Sequence, residues 1–107
     1  MIDYNQAEAA LNHLKNTDQE AARLKARWQW LEDKKKTWEA ICFMDQKEGS
    51  QGEREKKART DQRYLDHLSE MQEAHEQWLI VYNQRKSAEL QIEMWRSVNS
   101  NQRRGNI

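Results

Sequence analysis

The chain of 107 residues contains no proline, three glycines, one cysteine and one phenylalanine. The absence of proline removes the strongest helix breaker, and the scarcity of glycine leaves few places for a sharp turn. A single cysteine excludes an internal disulfide and is typical of a reducing compartment. No apolar run approaches the roughly 20 residues of a membrane span, and the N-terminus lacks a signal-peptide core. The sequence therefore predicts a cytoplasmic protein without membrane contact.

Net charge is also absent, because 18 basic residues balance 18 acidic ones. Overall charge therefore does not indicate a nucleic-acid partner. The charges are nevertheless grouped: residues 23–36 hold six basic and two acidic side chains, and residues 54–63 hold five and two. Residues 66–76 hold four acids and no Lys or Arg, whereas only arginines follow Glu93. Such blocks suit charge matching between subunits, or an anionic partner at one end.

Residues 60–99 form a run without proline or glycine that predicts one long helix. One stripe of this helix is expected to face a partner helix, and we call the contact between the two helices the seam. The positions of the stripe recur every three or four residues, first at Tyr64, Leu68, Met71, His75, Trp78 and Tyr82, then at Val81, Arg85, Ala88, Ile92, Trp95 and Asn99. At 1.5 Å per residue this helix is roughly 57 Å long, too long for a small globular core. It needs a second long helix beside it, and the preceding half of the chain supplies a matching stripe.

Three start signals divide the rest of the chain. Asp3 caps a short first helix over residues 2–15, and the capping box Thr17-Asp18-Gln19-Glu20 starts a long helix over residues 18–48. Gly49 suits the left-handed position after a helix end. A second capping box, Ser50-Gln51-Gly52-Glu53, starts a charged short helix within residues 49–60. Thr60 or Asp61 caps the final helix over residues 61–99, and residues 100–107 are predicted as a flexible basic tail.

These elements predict an all-α fold: a single helical domain, 1–107, built as an antiparallel, coiled-coil-like hairpin of long helices with a short N-terminal helix. A thin hairpin buries too little surface to be very stable alone. Apolar side chains also lie off the main seam, at Trp30, Phe43, Leu79 and Met94. The sequence therefore predicts a homo-oligomer.

Catalysis and metal binding find little support. Cys42 lies between Ile41 and Phe43 on an apolar stripe, where a thiol is usually a small core residue. His67 and Glu70, with His75 on an adjoining turn, suggest a metal site, but a seam histidine beside solvated carboxylates explains them better. No glycine-rich phosphate loop is present. We therefore expect no catalytic residue, no metal, no cofactor and no enzymatic activity.

Trp30 lies off the apolar stripe of its helix and is the best candidate for a subunit or ligand contact. Basic side chains around it would follow a phosphate backbone while the ring stacks on a base. The alternative is a solvated, salt-bridged helix face. The predicted single-stranded DNA site comprises Arg23, Arg27, Trp30, Lys34, Lys35, Arg54, Lys57 and Arg59.

The order of features in residues 20–107 resembles the UvsY-like recombination mediators of tailed phages. The resemblance starts at Leu24-Lys25-Ala26-Arg27 and an aromatic-bearing helix, followed by a glycine-containing turn and the segment Glu53-Arg-Glu-Lys. A long helix with Trp78 near its middle comes next. The end of the chain, Trp95-Arg96 and then Asn101-Gln-Arg-Arg-Gly-Asn-Ile107, is similar to the closing motif of small phage proteins of this type.

This resemblance implies a homo-oligomeric, non-enzymatic accessory protein of phage recombination or replication, acting in the bacterial host cytoplasm. It would bind single-stranded DNA and help a recombinase displace the single-strand-binding protein. The alternative is a phage-type coiled-coil adaptor or inhibitor that binds only protein. The arrangement of charge distinguishes the two: basic side chains converging on one rim favour DNA, and interleaved acids favour the adaptor.

Overall fold

The described part of the chain, residues 2–105, forms three α-helices in this computed structural model. Helix α1 spans Tyr4–Met44, α2 spans Gln51–Thr60 and α3 spans Gln62–Gly105. The predicted all-α class with a pair of long helices is confirmed. Among these described helices, none has a segment long and apolar enough to cross a membrane.

Helix α1 runs without interruption through residues 15–18, so the prediction of a separate short N-terminal helix is wrong. The reason lies in Thr17, whose hydroxyl was expected to cap a new helix. Instead, Thr17 Oγ1 donates a hydrogen bond to the carbonyl of His13, one turn earlier, at 2.7 Å. A threonine hydroxyl bonded in this way is compatible with a helix interior. Arg85 of α3 also donates to Thr17 Oγ1, at 2.8 Å, and so fixes its position.

The start of α1 is capped by Asp3, as predicted. Asp3 Oδ1 accepts the Gln6 N–H at 2.8 Å, and the Gln6 side chain accepts the Asp3 N–H at 2.9 Å. This reciprocal pair satisfies two donors that would otherwise lack a partner at the start of the helix. The helix ends at Met44 rather than at residue 48.

The connection between the long helices follows the predicted turn chemistry. Gly49 adopts a φ of 102°, a left-handed conformation that glycine enters without steric cost. Ser50 is the N-cap of α2 and accepts the Glu53 N–H at 3.3 Å. Asp61 alone separates α2 from α3, and its carboxylate accepts the N–H of Arg63 at 2.9 Å. Asp61 is therefore the residue that caps α3.

Helix α3 continues to Gly105, so residues 100–105, which were predicted to form a tail after the final helix, belong to α3. Residues 106 and 107 lie outside the described residues. The last turn contains Arg103 and Arg104. Their positive charge stabilises the carbonyl end of a helix, which helps α3 extend beyond its apolar pattern.

The described residues divide into two compact units. We call residues 2–22 and 79–105 the terminal unit, and Arg23–Trp78 the turn unit. Both long helices contribute to each unit, whereas α2 belongs to the turn unit alone.

In the terminal unit, α1 and α3 run antiparallel. Tyr4 packs edge-on against Trp95 with ring centroids 5.9 Å apart, and farther along, Arg85 donates to the Leu14 carbonyl at 2.8 Å. Arg85 also pairs with the Asp18 carboxylate at 2.6 Å. The buried apolar side chains of this unit are small ones: Ala7, Ala10, Val81 and Ala88. The seam here is narrow. The contacts of Arg85 with Leu14, Thr17 and Asp18, which we call the polar clamp, also hold α3 against α1.

The turn unit holds a deeper core. Trp28 of α1 stacks on both His75 and Trp78 of α3, at centroid distances of 4.4 and 5.0 Å. Nearer the turn, α2 joins the two long helices around a cluster that contains the fully buried Cys42 and Ala58. The remaining members of that cluster are Tyr64, Trp38, Phe43 and Leu68. Three helices and several aromatic rings therefore bury the apolar surface in this unit.

Candidate functional site

Four of the predicted site residues form one exposed edge of α1, which we call the Trp30 edge: Arg23, Arg27, Trp30 and Lys34. Their spacings of four, three and four residues return to nearly the same face of a helix. Trp30 is 59% exposed, which is unusual for an indole. The Lys34 ammonium lies 5.9 Å from the centre of the Trp30 ring, in a cation–π contact. Lys35 is exposed as well but is rotated about 100° from Lys34 around the helix.

One member of the Trp30 edge, Trp30 itself, lies beside acidic side chains of α3. Trp30 and Trp38 of α1 line an open cleft of about 320 Å³ with Asp66 and Glu70 of α3. Farther along the same side, Arg27 donates to the Gln77 side chain at 3.4 Å. Of the Trp30 edge, only Trp30 itself lines the cleft with these acids, and the contact of Arg27 is with a neutral amide.

The second basic group, on α2, is largely engaged in the fold. Arg54 Nε donates to the Gln46 carbonyl at 2.7 Å, and its guanidinium lies 4.3 Å from the Phe43 ring centre. Arg59 pairs with Glu39 at 3.2 Å. Lys57 is exposed. The two arginines thus attach α2 to the end of α1.

The two basic groups do not meet on one face. Glu39, the partner of Arg59, follows Trp30 by nine residues on α1. Nine residues correspond to about two and a half turns, so the two side chains leave opposite sides of the helix. The structure therefore places Arg59 away from the Trp30 edge. The eight predicted site residues share the turn unit, but they do not form a single binding surface.

Cys42 is a core residue, as the sequence favoured. It is fully buried against Ala58 and Tyr64. Burial raises the pKa of its thiol, and the negative charge of nearby Asp61 raises that pKa further. A reactive thiolate needs an accessible, electropositive setting, which this environment does not provide.

The two histidines of the turn unit, His67 and His75, contact α1 and contribute to the packing of α3 against it. His67 is buried, and its Nε2–H donates to the Leu31 carbonyl at 2.6 Å. His75 stacks on Trp28. Within residues 2–105, no three His, Cys, Asp or Glu side chains lie close enough to hold a metal ion. The bond from His67 to Leu31 ties α3 to the middle of α1.

The sequence reasoning missed the cleft beside Trp30. The sequence predicts solvated carboxylates at Asp66 and Glu70. It also predicts that Trp38, three residues after Lys35 and four before Cys42, faces the partner helix. Each is a reasonable interpretation along its own helix, but the cleft arises only when α1 and α3 are set in register. A possible signal was the spacing of four that places Asp66 and Glu70 on one face of α3 beside His67.

No family model matches this chain, and no curated protein or solved structure is significantly similar to it. The resemblance to UvsY-like mediators therefore remains a prediction.

Proposed function

We propose that this chain is a non-enzymatic helical adaptor that self-associates through its terminal unit and binds other proteins. One observation carries the proposal. The terminal unit buries only alanines and a valine as its apolar core, yet exposes Leu90 and Met94 by 57% and 58%. The other large apolar side chains exposed in this unit are Tyr4, Leu11, Leu79, Ile80 and Tyr82. Such apolar surface on a weakly packed unit is typical of an interface.

The exposed residues include a stripe along the outer side of α3. Leu79 and Leu90 are about three turns apart, and Met94 follows about one turn later, so all three lie near one face. Lys86 and Glu89, 3.6 Å apart, lie beside this stripe and present both signs of charge. An antiparallel second copy would oppose each charge with its opposite and cover the apolar stripe on both chains. A second copy is therefore the occupant that this face fits.

The charge pattern of the turn unit favours a protein partner over nucleic acid. Arg59 pairs with Glu39, and Asp66 and Glu70 line the cleft beside Trp30. Nucleic-acid binding depends on cations that contact phosphates, and nearby carboxylates oppose that attraction. An exposed aromatic side chain is also characteristic of protein interfaces, where Trp is enriched.

Single-stranded DNA is the second candidate partner, supported by the exposed indole of Trp30 with cations above and beside it. The resemblance to recombination mediators points to the same partner, and to a role in recombinase loading. One subunit would make few phosphate contacts through Arg23, Arg27 and Lys34. Linked subunits would multiply this weak binding through effective concentration.

Sedimentation equilibrium tests the self-association. We expect the wild-type mass to exceed that of one chain at micromolar concentration, and the double variant Leu90→Gln/Met94→Gln to sediment as a monomer. The matched control is Leu65→Gln, which changes a leucine of 42% exposure in the turn unit. A monomeric wild type, or equal effects of the two sets of substitutions, would contradict the proposal.

Fluorescence anisotropy with a labelled single-stranded oligonucleotide, across a salt series, separates the two candidate partners. The adaptor predicts no binding above that of a neutral control protein at moderate salt. Salt-sensitive binding that weakens in Lys34→Ala and Trp30→Ala, with the assembly intact, would make DNA the better supported partner.

A further inference from the structure

We propose that the cleft beside Trp30 is a binding site for an arginine side chain of a partner protein. Such a site would define the kind of partner that the proposed adaptor binds, and it therefore rests on that function. It concerns the turn unit alone, so it does not depend on self-association in the terminal unit. The cleft has a volume of about 320 Å³, enough for a side chain and smaller than most sites for whole cofactors.

The walls of the cleft combine two features that recognise a guanidinium group. Trp30 and Trp38 provide indole rings on the α1 side, and Leu31 lies between them in sequence on the same wall. Asp66 and Glu70 provide carboxylates on the α3 side. A planar guanidinium stacks on an indole face while its edge donates two hydrogen bonds to a carboxylate.

The other polar groups of the cleft are already engaged. Arg63 pairs with Asp45 at 2.8 Å and with Asp61 at 3.0 Å, so its charge is compensated. His67 donates to the Leu31 carbonyl, away from any ligand. These contacts leave the cleft with an excess of negative charge from its α3 carboxylates.

One carboxylate is partly used and the other is open to solvent. Asp66 Oδ1 accepts a hydrogen bond from the Gln62 side chain at 2.7 Å, which leaves its second oxygen for a ligand. Glu70 is exposed. Glu70 is therefore the main acceptor for an incoming guanidinium, and Asp66 supports it.

Lys34 shows that the Trp30 ring accepts a cation. Its ammonium lies 5.9 Å from the ring centre, within cation–π range. Lys34 does not line the cleft, but its positive charge lies close enough to Trp30 to disfavour a second cation on that ring. Binding of an arginine ligand and binding of an oligonucleotide should therefore respond in opposite directions to the loss of Lys34.

The test measures binding of a labelled oligo-arginine peptide to the full chain by fluorescence anisotropy. An oligo-lysine peptide of equal length is the comparison ligand. We expect the arginine peptide to bind more tightly than the lysine peptide. Glu70→Gln should weaken its binding about three- to fivefold, the upper part of the range for an exposed charge pair. Trp30→Ala should weaken it by about as much through the lost cation–π contact.

The matched control is Glu76→Gln, which removes the same charge from another exposed face of α3. It should leave the affinity for the arginine peptide within about twofold, since isolated surface charges have small effects. Equal weakening by Glu76→Gln and Glu70→Gln would show attraction to overall charge and overturn the site. So would equal affinities for the two peptides.

Lys34→Met separates this site from a DNA surface. Removing the nearby cation should strengthen binding of the arginine peptide, whereas a phosphate-binding edge would lose affinity for an oligonucleotide. Weaker peptide binding in Lys34→Met would overturn the proposal. A monomeric chain that still binds the arginine peptide through Glu70 would reject self-association and leave the cleft supported.

Discussion

The two units of this chain differ in the size of the apolar side chains that they bury. The turn unit packs three helices and the terminal unit two. The buried apolar side chains of the turn unit are Leu31, Cys42, Ala58, Tyr64 and Ala74, whereas those of the terminal unit are Ala7, Ala10, Val81 and Ala88. Half-buried tryptophans add to both units, three in the turn unit (Trp28, Trp38 and Trp78) and one in the terminal unit (Trp95). The exposed large apolar side chains are distributed the other way, because most of those among the described residues belong to the terminal unit. From this difference we expect the turn unit to contribute more to stability, and the exposed apolar surface of the terminal unit is where we propose that a second copy binds.

The largest expected effect comes from the core of the turn unit. Leu31 is 4% exposed, and its carbonyl accepts the His67 bond. Leu31→Ala and Trp78→Ala should each lower the free energy of unfolding by about 2–5 kcal/mol, measured by urea denaturation. Val81→Ala in the terminal unit should cost only about 1–2 kcal/mol, because it removes two carbon atoms from a narrow seam.

Trp30→Ala serves as the control for these core variants, since its side chain is exposed. It should change the free energy of unfolding by no more than about 0.5 kcal/mol. A loss from Val81→Ala as large as that from Leu31→Ala would remove the distinction between the two units.

The next largest effect concerns the polar clamp of the terminal unit. Arg85 is mostly buried and donates to the Leu14 carbonyl, the Thr17 hydroxyl and the Asp18 carboxylate. Arg85→Met keeps the aliphatic stem but removes these bonds, and should cost about 1.5–3 kcal/mol. The neighbouring Lys86→Met removes an exposed charge and should have little effect on the urea midpoint. Equal effects would indicate that the clamp does not stabilise the unit.

The smallest effect is a pH dependence located at the turn. The hydrogen bonds from Arg63 lower the pKa of Asp61 from 3.8 to about 2. A carboxyl group with a lowered pKa stabilises the fold above its unfolded value, and this contribution is lost as the pH falls from about 4 towards 2. Asp61→Asn keeps an oxygen that caps α3 but cannot titrate.

The wild-type urea midpoint should therefore fall more steeply between pH 4 and pH 2 than the Asp61→Asn midpoint. The other carboxylates titrate in both proteins, so the difference between the two curves isolates Asp61. Parallel curves over this range would show that Asp61 contributes no pH-dependent stability.

The sequence predicted the helix pair well because helix periodicity and capping are local properties. Asp3, Gly49, Ser50 and Asp61 all adopt roles that can be derived from a few neighbouring residues. Thr17 failed because a long-range contact with Arg85 favours the helical position of its hydroxyl. Local patterns cannot reveal a partner that lies 68 residues away in the chain.

The candidate site was predicted only in part for the same reason. Trp30 was correctly placed off the seam, and it is exposed. The roles of Arg54 and Arg59 in holding α2, and the carboxylates opposite Trp30, depend on how separate helices meet. The distribution of charge along a sequence does not determine which acidic and basic side chains become neighbours in the folded chain.

Hydrogen–deuterium exchange at two protein concentrations tests the central claim that the terminal unit is the association surface. Backbone amides in residues 2–22 and 79–105 should exchange more slowly at the higher concentration, because association couples to local stability. Amides in the turn unit should be protected equally at both concentrations. Protection that is independent of concentration in the terminal unit, or that rises only in the turn unit, would contradict the account.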